Sequence, residues 1–360
     1  NVQGAPNENY ARELFELFTI GKGPQIGPGN YTNYTETDVL EAAKVLTGWK
    51  DLGYLNKNRL PGVQFTPNQH DTSTKTFSAA FNGQSISDQG DQEYKALIEM
   101  IFQQKETARY ICRKLYRWFV YYEIDAGAEQ DVIEPMATLL YDGQYEMAPV
   151  VRALLSSEHF YDANNVGGLI KNPVDFMLSP VRQLELELPD VNQNLAGHYD
   201  IHFRLYQLAQ GAQMDLLDPP SVAGWPAYYQ EPQFHQLWAN SATLPNRLDF
   251  TQRITRNGLF YRQIKLQVDA LAWLAKVSDP SDPNLVVGEI AELLLPQPLP
   301  TSQFDFLKEA LIPGLPDYEW TMEYNRYAND PSNNGLATPI RNKVKALMEA
   351  MLGLPEFHLS

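Results

Sequence analysis

The dipeptide His70-Asp71, followed by Lys75, sets an imidazole, a carboxylate and an amine close together in a stretch without helical periodicity. An imidazole beside a carboxylate exchanges protons near neutrality or binds a divalent metal. His70, Asp71 and Lys75 are therefore the candidate catalytic residues, and His70 and Asp71 the candidate ligands of a divalent metal, the one cofactor these residue types point to. The same groups serve equally well to hydrogen-bond loop amides and fix the stretch in place. On the opening helix, Glu8 and Glu13, with Glu16, supply carboxylates for a metal site or for the acid and base of a glycosidase, and Asn9 and Arg12 stand beside them as further candidate binding residues. The plainer alternative is an Arg12 held by Glu8 and Glu16 at i, i+4.

A third group is aromatic. Pro219-Pro220-Ser221-Val222-Ala223-Gly224-Trp225-Pro226 joins rigid prolines, a flexible glycine and an indole, and Tyr228, Tyr229 and Trp238 add further rings. Sugar rings stack on such faces, and a core takes them equally well, so Trp225, Trp238 and the earlier Trp49 are candidate binding residues with both readings open. His198 and His202 form an i, i+4 pair without the intervening Glu of a zinc protease. The chain has no Gly-x-Ser-x-Gly elbow, P-loop, dinucleotide fingerprint or cysteine-pair zinc motif. Cys112 is the only cysteine, which excludes an internal disulfide and reads as a small apolar packing residue. Arg109, Arg113 and Arg117, with Lys114, share one helix and are expected to pair with the abundant acids.

The elements that must position these groups are mostly helices. Asn7 caps a first helix with an apolar stripe of Tyr10, Leu14, Leu17 and Phe18, ended by Gly21 and Gly23. Thr35-Glu36-Thr37-Asp38 reads as a capping box for a second helix that turns Val39, Ala42, Ala43 and Leu46 inward and stops at Gly48. Residues 50–92 form an irregular excursion, uncommon in length for a compact domain unless functional. Helical pattern returns over 92–104, 106–122, 129–141 and 146–157, then 173–187 behind Asn172-Pro173, and 200–213. The irregular segment 218–231 leads to helices over 232–238, 241–256, 263–275, 284–295, 302–311, 317–328 and 336–352. The expected fold is thus mainly α, a multi-helical globular array with two long irregular segments and at most a few short strands.

The net charge of −16 opposes phosphate backbones and anionic membranes, so nucleic acid is not an expected partner. No apolar run reaches the ~20 residues needed to span a bilayer, so no transmembrane segment is expected in this chain. The opening Asn1-Val2-Gln3-Gly4 is neither an initiator Met nor a signal sequence, and predicts a chain that begins inside a longer protein.

Several stretches resemble the bacterial family known as domain of unknown function 1800. They are Asn7-Glu8-Asn9-Tyr10-Ala11-Arg12-Glu13-Leu14, Tyr34-Thr35, Leu46-Thr47-Gly48-Trp49, His70-Asp71 with Lys75, Ala108-Arg109 and Arg113-Lys114-Leu115. Lys171-Asn172-Pro173-Val174-Asp175, Pro219 to Pro226, Trp238, Asn240-Ser241 and Leu244 with Arg247 continue the likeness. It spans Pro6 to Phe250 with a weaker tail, which implies a helical domain over 1–260 lacking its amino-terminal part and a C-terminal helical region over 261–360 packed on the same body. Members of that family carry a helical region and often an export signal ahead of the Asn-Glu-Asn stretch. They are commonly encoded beside a sulfatase-like family. The resemblance therefore implies a periplasmic, cell-surface or secreted protein that binds or assembles with another envelope protein, the sulfatase-like one, or with a glycan. The alternative expectation is a hydrolase of a glycan or of a phosphate or sulfate ester, using His70, Asp71 and the acids of the first helix.

Overall fold

The computed structural model describes residues 2–28, 30–53 and 60–360, which gather into two compact units, Asn1–Phe160 and Tyr161–Ser360. The protein is mainly helical, and its strands form short two-stranded sheets. Among the described residues no helix is long and apolar enough to cross a membrane.

In the first unit, helix α1 (Glu8–Glu13) starts where the Asn7 side chain accepts the Tyr10 amide at 3.1 Å, and it runs directly into a π-helical segment, Leu14–Thr19. Its buried side is Ala11, Phe15 and Thr19, whereas Tyr10 and Phe18 of the expected stripe are exposed. The wider π turn advances less per residue than an α turn, so positions four apart stay aligned on the inner face. Strands β1 (Gln25–Gly27) and β2 (Asn30–Tyr31) pair before α2 (Glu36–Val45). The capping box of α2 is present: Thr35 N donates to Asp38 Oδ2 at 2.7 Å and Asp38 N donates back to Thr35 Oγ1. Val39, Ala42, Ala43 and Val45 are buried, while Leu46 packs at the edge of that core.

The expected excursion holds two small antiparallel pairs, and residues 54–59 of it lie outside the described residues. Strand β3 (Trp49–Asp51) aligns Trp49 with Phe65 of β4 (Val63–Phe65), and β5 (Lys75–Thr76) aligns Lys75 with Ile86 of β6 (Ser85–Ile86). Helices α3 (Glu93–Phe102) and α4 (Lys105–Phe119) follow, then α5 (Ala126–Ala128), which passes through a π segment into α6 (Glu134–Asp142), and α7 (Met147–Leu155). Arg109 pairs with Glu134 and Glu106, and Arg113 with Glu129 and Glu106, so these arginines are matched internally. Cys112 is fully buried and burial pushes its thiol up to about 12, which makes it an unreactive packing group.

The second unit contains α8 (Pro173–Gln183), α9 (Leu195–Gly211), α10 (Thr243–Thr255), a hairpin of β7 (Leu259–Tyr261) and β8 (Ile264–Leu266), α11 (Ala270–Leu274), α12 (Pro283–Leu294), α13 (Thr301–Leu311), α14 (Asp317–Asn329) and α15 (Asn334–Leu352). The hairpin corrects the helix expected over 263–275. Leu259 and Leu266 are cross-strand partners buried on one face while Phe260 lies exposed, an alternation of period two that a helical reading misses. The division expected at 260/261 falls within β7, inside this unit. Helix α15 is its centre, burying Val344, Leu347, Met348 and Met351 at about 1.5–3 kcal/mol each.

Candidate functional site

After α2 the chain turns at Thr47-Gly48, where Gly48 takes φ +84°. A Cβ there would lie 2.8 Å from Phe65 Cε2 and 3.1 Å from His70 Cβ, so only glycine allows the excursion to return this closely. A short 3₁₀ turn, Pro67–Gln69, then delivers His70 to the interior. Its Nδ1 lies 3.0 Å from Thr47 O and its Nε2 2.9 Å from Glu93 Oε1, at the first residue of α3. Lys75 Nζ donates to Glu93 Oε2 at 2.7 Å and to Asp71 O, while Gln89 N donates to Glu93 Oε1 at 3.1 Å. Thr47 Oγ1 donates to Lys44 O at 2.7 Å and accepts Asp71 N at 2.8 Å.

These hydrogen bonds fix the chemistry. Nδ1 faces the Thr47 carbonyl, which can only accept, and Nε2 faces the Glu93 carboxylate. His70 is 3% exposed, and Lys75 and Glu93 are 0%, so these groups meet each other and no substrate. The Asp71 carboxylate turns away to accept from Ser73 N at 2.9 Å and from its hydroxyl. Burial raises the Asp71 pKa, yet the bonds from Ser73 and the nearby Lys75 outweigh it and hold it below the usual carboxylate range. Among the described residues, the ligand atoms that gather within 4.8 Å of one another belong to His70, Asp88 and Glu93, so the structure puts Asp88 and Glu93 beside the imidazole in place of the Asp71 carboxylate.

Trp49 is half-buried beside this network. Its ring lies 5.3 Å from Phe65 and 5.7 Å from Tyr94, and Phe65 in turn lies 5.3 Å from His70. On the first helix, Glu8 and Asn9 are exposed and Glu13 is half-buried. Arg12 forks onto Glu36 at 2.6 and 2.5 Å, which corrects the expected pairing with Glu8 and Glu16. Glu16 instead accepts from Tyr34 and Lys22. The Arg12 fork is the main cause that holds Glu36 below the usual carboxylate range. Among the described residues, no hydrogen bond or ion pair joins Glu8, Asn9, Arg12 or Glu13 to His70, Asp71 or Lys75.

In the second unit, Trp238 is buried and Trp225 half-buried, joined through Tyr228 at ring separations of 5.6 and 6.2 Å. These rings pack with Met214 and Ala227 and so plug a small core. Beside them, fully buried Arg247 of α10 donates to Lys171 O at 2.7 Å and lies 4.7 Å from the Phe176 ring, while its Nε and Nη1 find no partner among the described residues. Lys171 Nζ donates to Phe357 O at 2.8 Å. Burial lowers Arg247 to about 10 and Lys171 to about 8, and burial with the two cations lowers His358 to about 4. Helix α9 presents Leu195, Tyr199 and Phe203 to solvent, with the His198 and His202 rings 4.2 Å apart at a tilt of 38° and each Nδ1 directed at a backbone carbonyl.

Sequence reasoning missed Glu93, Asp88 and Thr47. An acid in the first turn of a helix reads as a dipole partner, which hid the role of Glu93 as the hub. Arg247 was noticed only through the family likeness, and nothing in its spacing signalled burial. No curated protein and no solved structure matches this chain. A family model described as protein of unknown function (DUF1800) matches residues 1–359, and the chain belongs to that family.

Proposed function

We propose that this protein is an exported, envelope-associated binding or assembly protein that engages another protein through the outer face of α9. One observation carries the reading. Helix α9 buries Ile201, Leu205, Leu208 and Ala209 in its own unit, yet Leu195, Tyr199 and Phe203, four residues apart on the other side, are 56%, 64% and 50% exposed. A helix with a second apolar face has more hydrophobic surface than its own fold uses, and such a face marks a contact with a partner. Tyr206 stacks on Phe203 and Tyr261 lies 6.5 Å from it, which widens the aromatic face.

The rim favours a protein over a glycan. Asp200 is paired with Arg262, and Tyr206 and Gln210 are paired with Asp215, so the polar groups around the rings are already matched to one another. An apolar centre ringed by polar pairs is the anatomy of a protein interface, whereas a sugar needs directed, free hydrogen-bond groups beside its stacking face. The sulfatase-like family commonly encoded beside this one is the first candidate partner, and the same likeness supports the export reading. The hydrolase reading has less support, because His70, Lys75 and Glu93 are closed to solvent and the Asp71 carboxylate is engaged by Ser73.

The test is photo-crosslinking from position 203 in cells that naturally make the protein. A discrete protein adduct at Phe203, lost when Leu195 and Tyr199 are both changed to Ser, is the expected result. Adducts only to polysaccharide, or none, overturn the proposal.

A further inference from the structure

We propose that His70, Glu93 and Asp88 form a structural divalent-cation site that ties the irregular excursion to the start of α3. The ligand atoms of the three residues lie within 4.8 Å of one another, and His70 Nε2 and Glu93 Oε1 are 2.9 Å apart. Neighbouring donors around a zinc-sized ion with bonds of ~2.1 Å stand roughly 3.0–3.4 Å apart, so these two need to part by only a few tenths of an ångström to become adjacent ligands.

The surroundings prepare each ligand. His70 Nδ1 donates to Thr47 O at 3.0 Å, the second bond that fixes a ligating imidazole with its Nε2 lone pair aimed at the ion. Glu93 Oε2 is occupied by Lys75 at 2.7 Å, and Gln89 N donates to Oε1 at 3.1 Å, so the carboxylate is oriented to bind through Oε1 alone. His70 and Glu93 are buried while Asp88 is exposed, which gives the ion a route in from solvent and leaves its remaining positions to water. Charge agrees as well. The carboxylates of Asp71, Asp88 and Glu93 balance Lys75 plus one divalent ion. One imidazole with two carboxylates suits Zn²⁺ or Mn²⁺.

The experiment titrates the untagged, chelator-treated full chain with Zn²⁺ and with Mn²⁺ by calorimetry, alongside Asp88→Asn and Asp91→Asn. Asn at 88 keeps an acceptor for the Gly90 amide, which Asp88 Oδ1 accepts at 3.2 Å, and the position is exposed, so the variant folds. Asp91 is an exposed acid three residues away that is not part of the cluster. The expected result is one saturable equivalent of at least one of the two ions, weakened about ten-fold or more by Asp88→Asn and unchanged by Asp91→Asn. A thermal midpoint that rises with the ion in wild type and not in Asp88→Asn is the accompanying readout. Absence of saturable binding of either ion, or equal weakening in both variants, overturns the site. Neither outcome bears on the α9 interface, which belongs to the other unit.

Discussion

Lowering the pH from about 7.5 to about 5 is expected to cost the wild-type chain ~2 kcal/mol through His358 alone. This residue closes the last 3₁₀ turn, Pro355–His358, with its ring 4.7 Å from Phe176 and its carbonyl accepting Lys171 N at 2.8 Å. Burial, then the positive charges of Arg247 and Lys171, push its pKa from 6.5 down to about 4. Between those values the unfolded chain binds a proton that the folded chain refuses. The stability is therefore fully present above pH 6.5 and is lost as pH falls from 6.5 toward 4. Complete protonation of the unfolded state against the folded one amounts to ~3 kcal/mol, of which ~2 kcal/mol has gone by about pH 5. The assay is urea unfolding of wild type and His358→Gln at both pH values, followed by a probe in the second unit. Other carboxylates titrate in both proteins and cancel in the difference. The variant should retain ~2 kcal/mol more of its neutral-pH stability than wild type. A difference that stays constant with pH refutes the argument, because it means that the imidazole reaches water or an anion when protonated.

Lys171, lowered to about 8 from 10.5 chiefly by burial, gives a slope of the same sign in alkali: the unfolded chain holds the extra proton, so stability rises between pH 8 and 10.5, and Lys171→Met should flatten that rise in urea titrations. Glu93→Gln leaves Lys75 buried without a counter-charge and should destabilise the first unit by about 3–5 kcal/mol, whereas Lys75→Met with Glu93→Leu should recover most of the loss in the unfolding midpoint. Gly48→Ala combines a left-handed φ of +84° with a contact at 2.8 Å and should cost about 1–3 kcal/mol by the same measurement. Arg12→Ala removes a partly exposed fork to Glu36 and should cost under about 1 kcal/mol, a loss that shrinks further as salt is added.

Local signals in the sequence carried the elements whose boundaries are chemical. Thr35 with Asp38 capped α2, Asn172-Pro173 opened α8, and the lack of periodicity over 50–92 marked the small sheets there. The failures have equally local causes. The turn between β7 and β8 contains Arg262 at φ +51° in place of glycine, so the hairpin lacked its usual punctuation, and Ile264 to Leu274 blurred a three-residue strand with a five-residue helix. In the first helix, the change from α to π winding at Leu14 moved the buried face without any change in composition.

The candidate site was legible in type and place, and illegible in partners. His70, Asp71 and Lys75 stand close in the sequence, but the group that unites His70 and Lys75 is Glu93, eighteen to twenty-three residues onward on another element, and the groups that orient them are backbone atoms of Thr47, Asp71 and Gln89. Spacing cannot reveal such partners, because a carboxylate in the first turn of a helix is favoured there for its own electrostatic reason. Nor can it reveal exposure, and exposure is what separates the chemical readings. An imidazole, an ammonium and a carboxylate open to solvent form acid-base machinery, whereas the same three groups closed around one another tie loops together and admit at most an ion. The apolar face of α9 is the opposite case. Leu195 and Tyr199 lie ahead of the helix expected over 200–213, and only the burial of Ile201, Leu205 and Leu208 shows that α9, which begins at Leu195, has a core side apart from them. His70 and Lys75 therefore turn inward while Leu195, Tyr199 and Phe203 turn outward, which is why the binding reading rests on apolar side chains that no motif singled out.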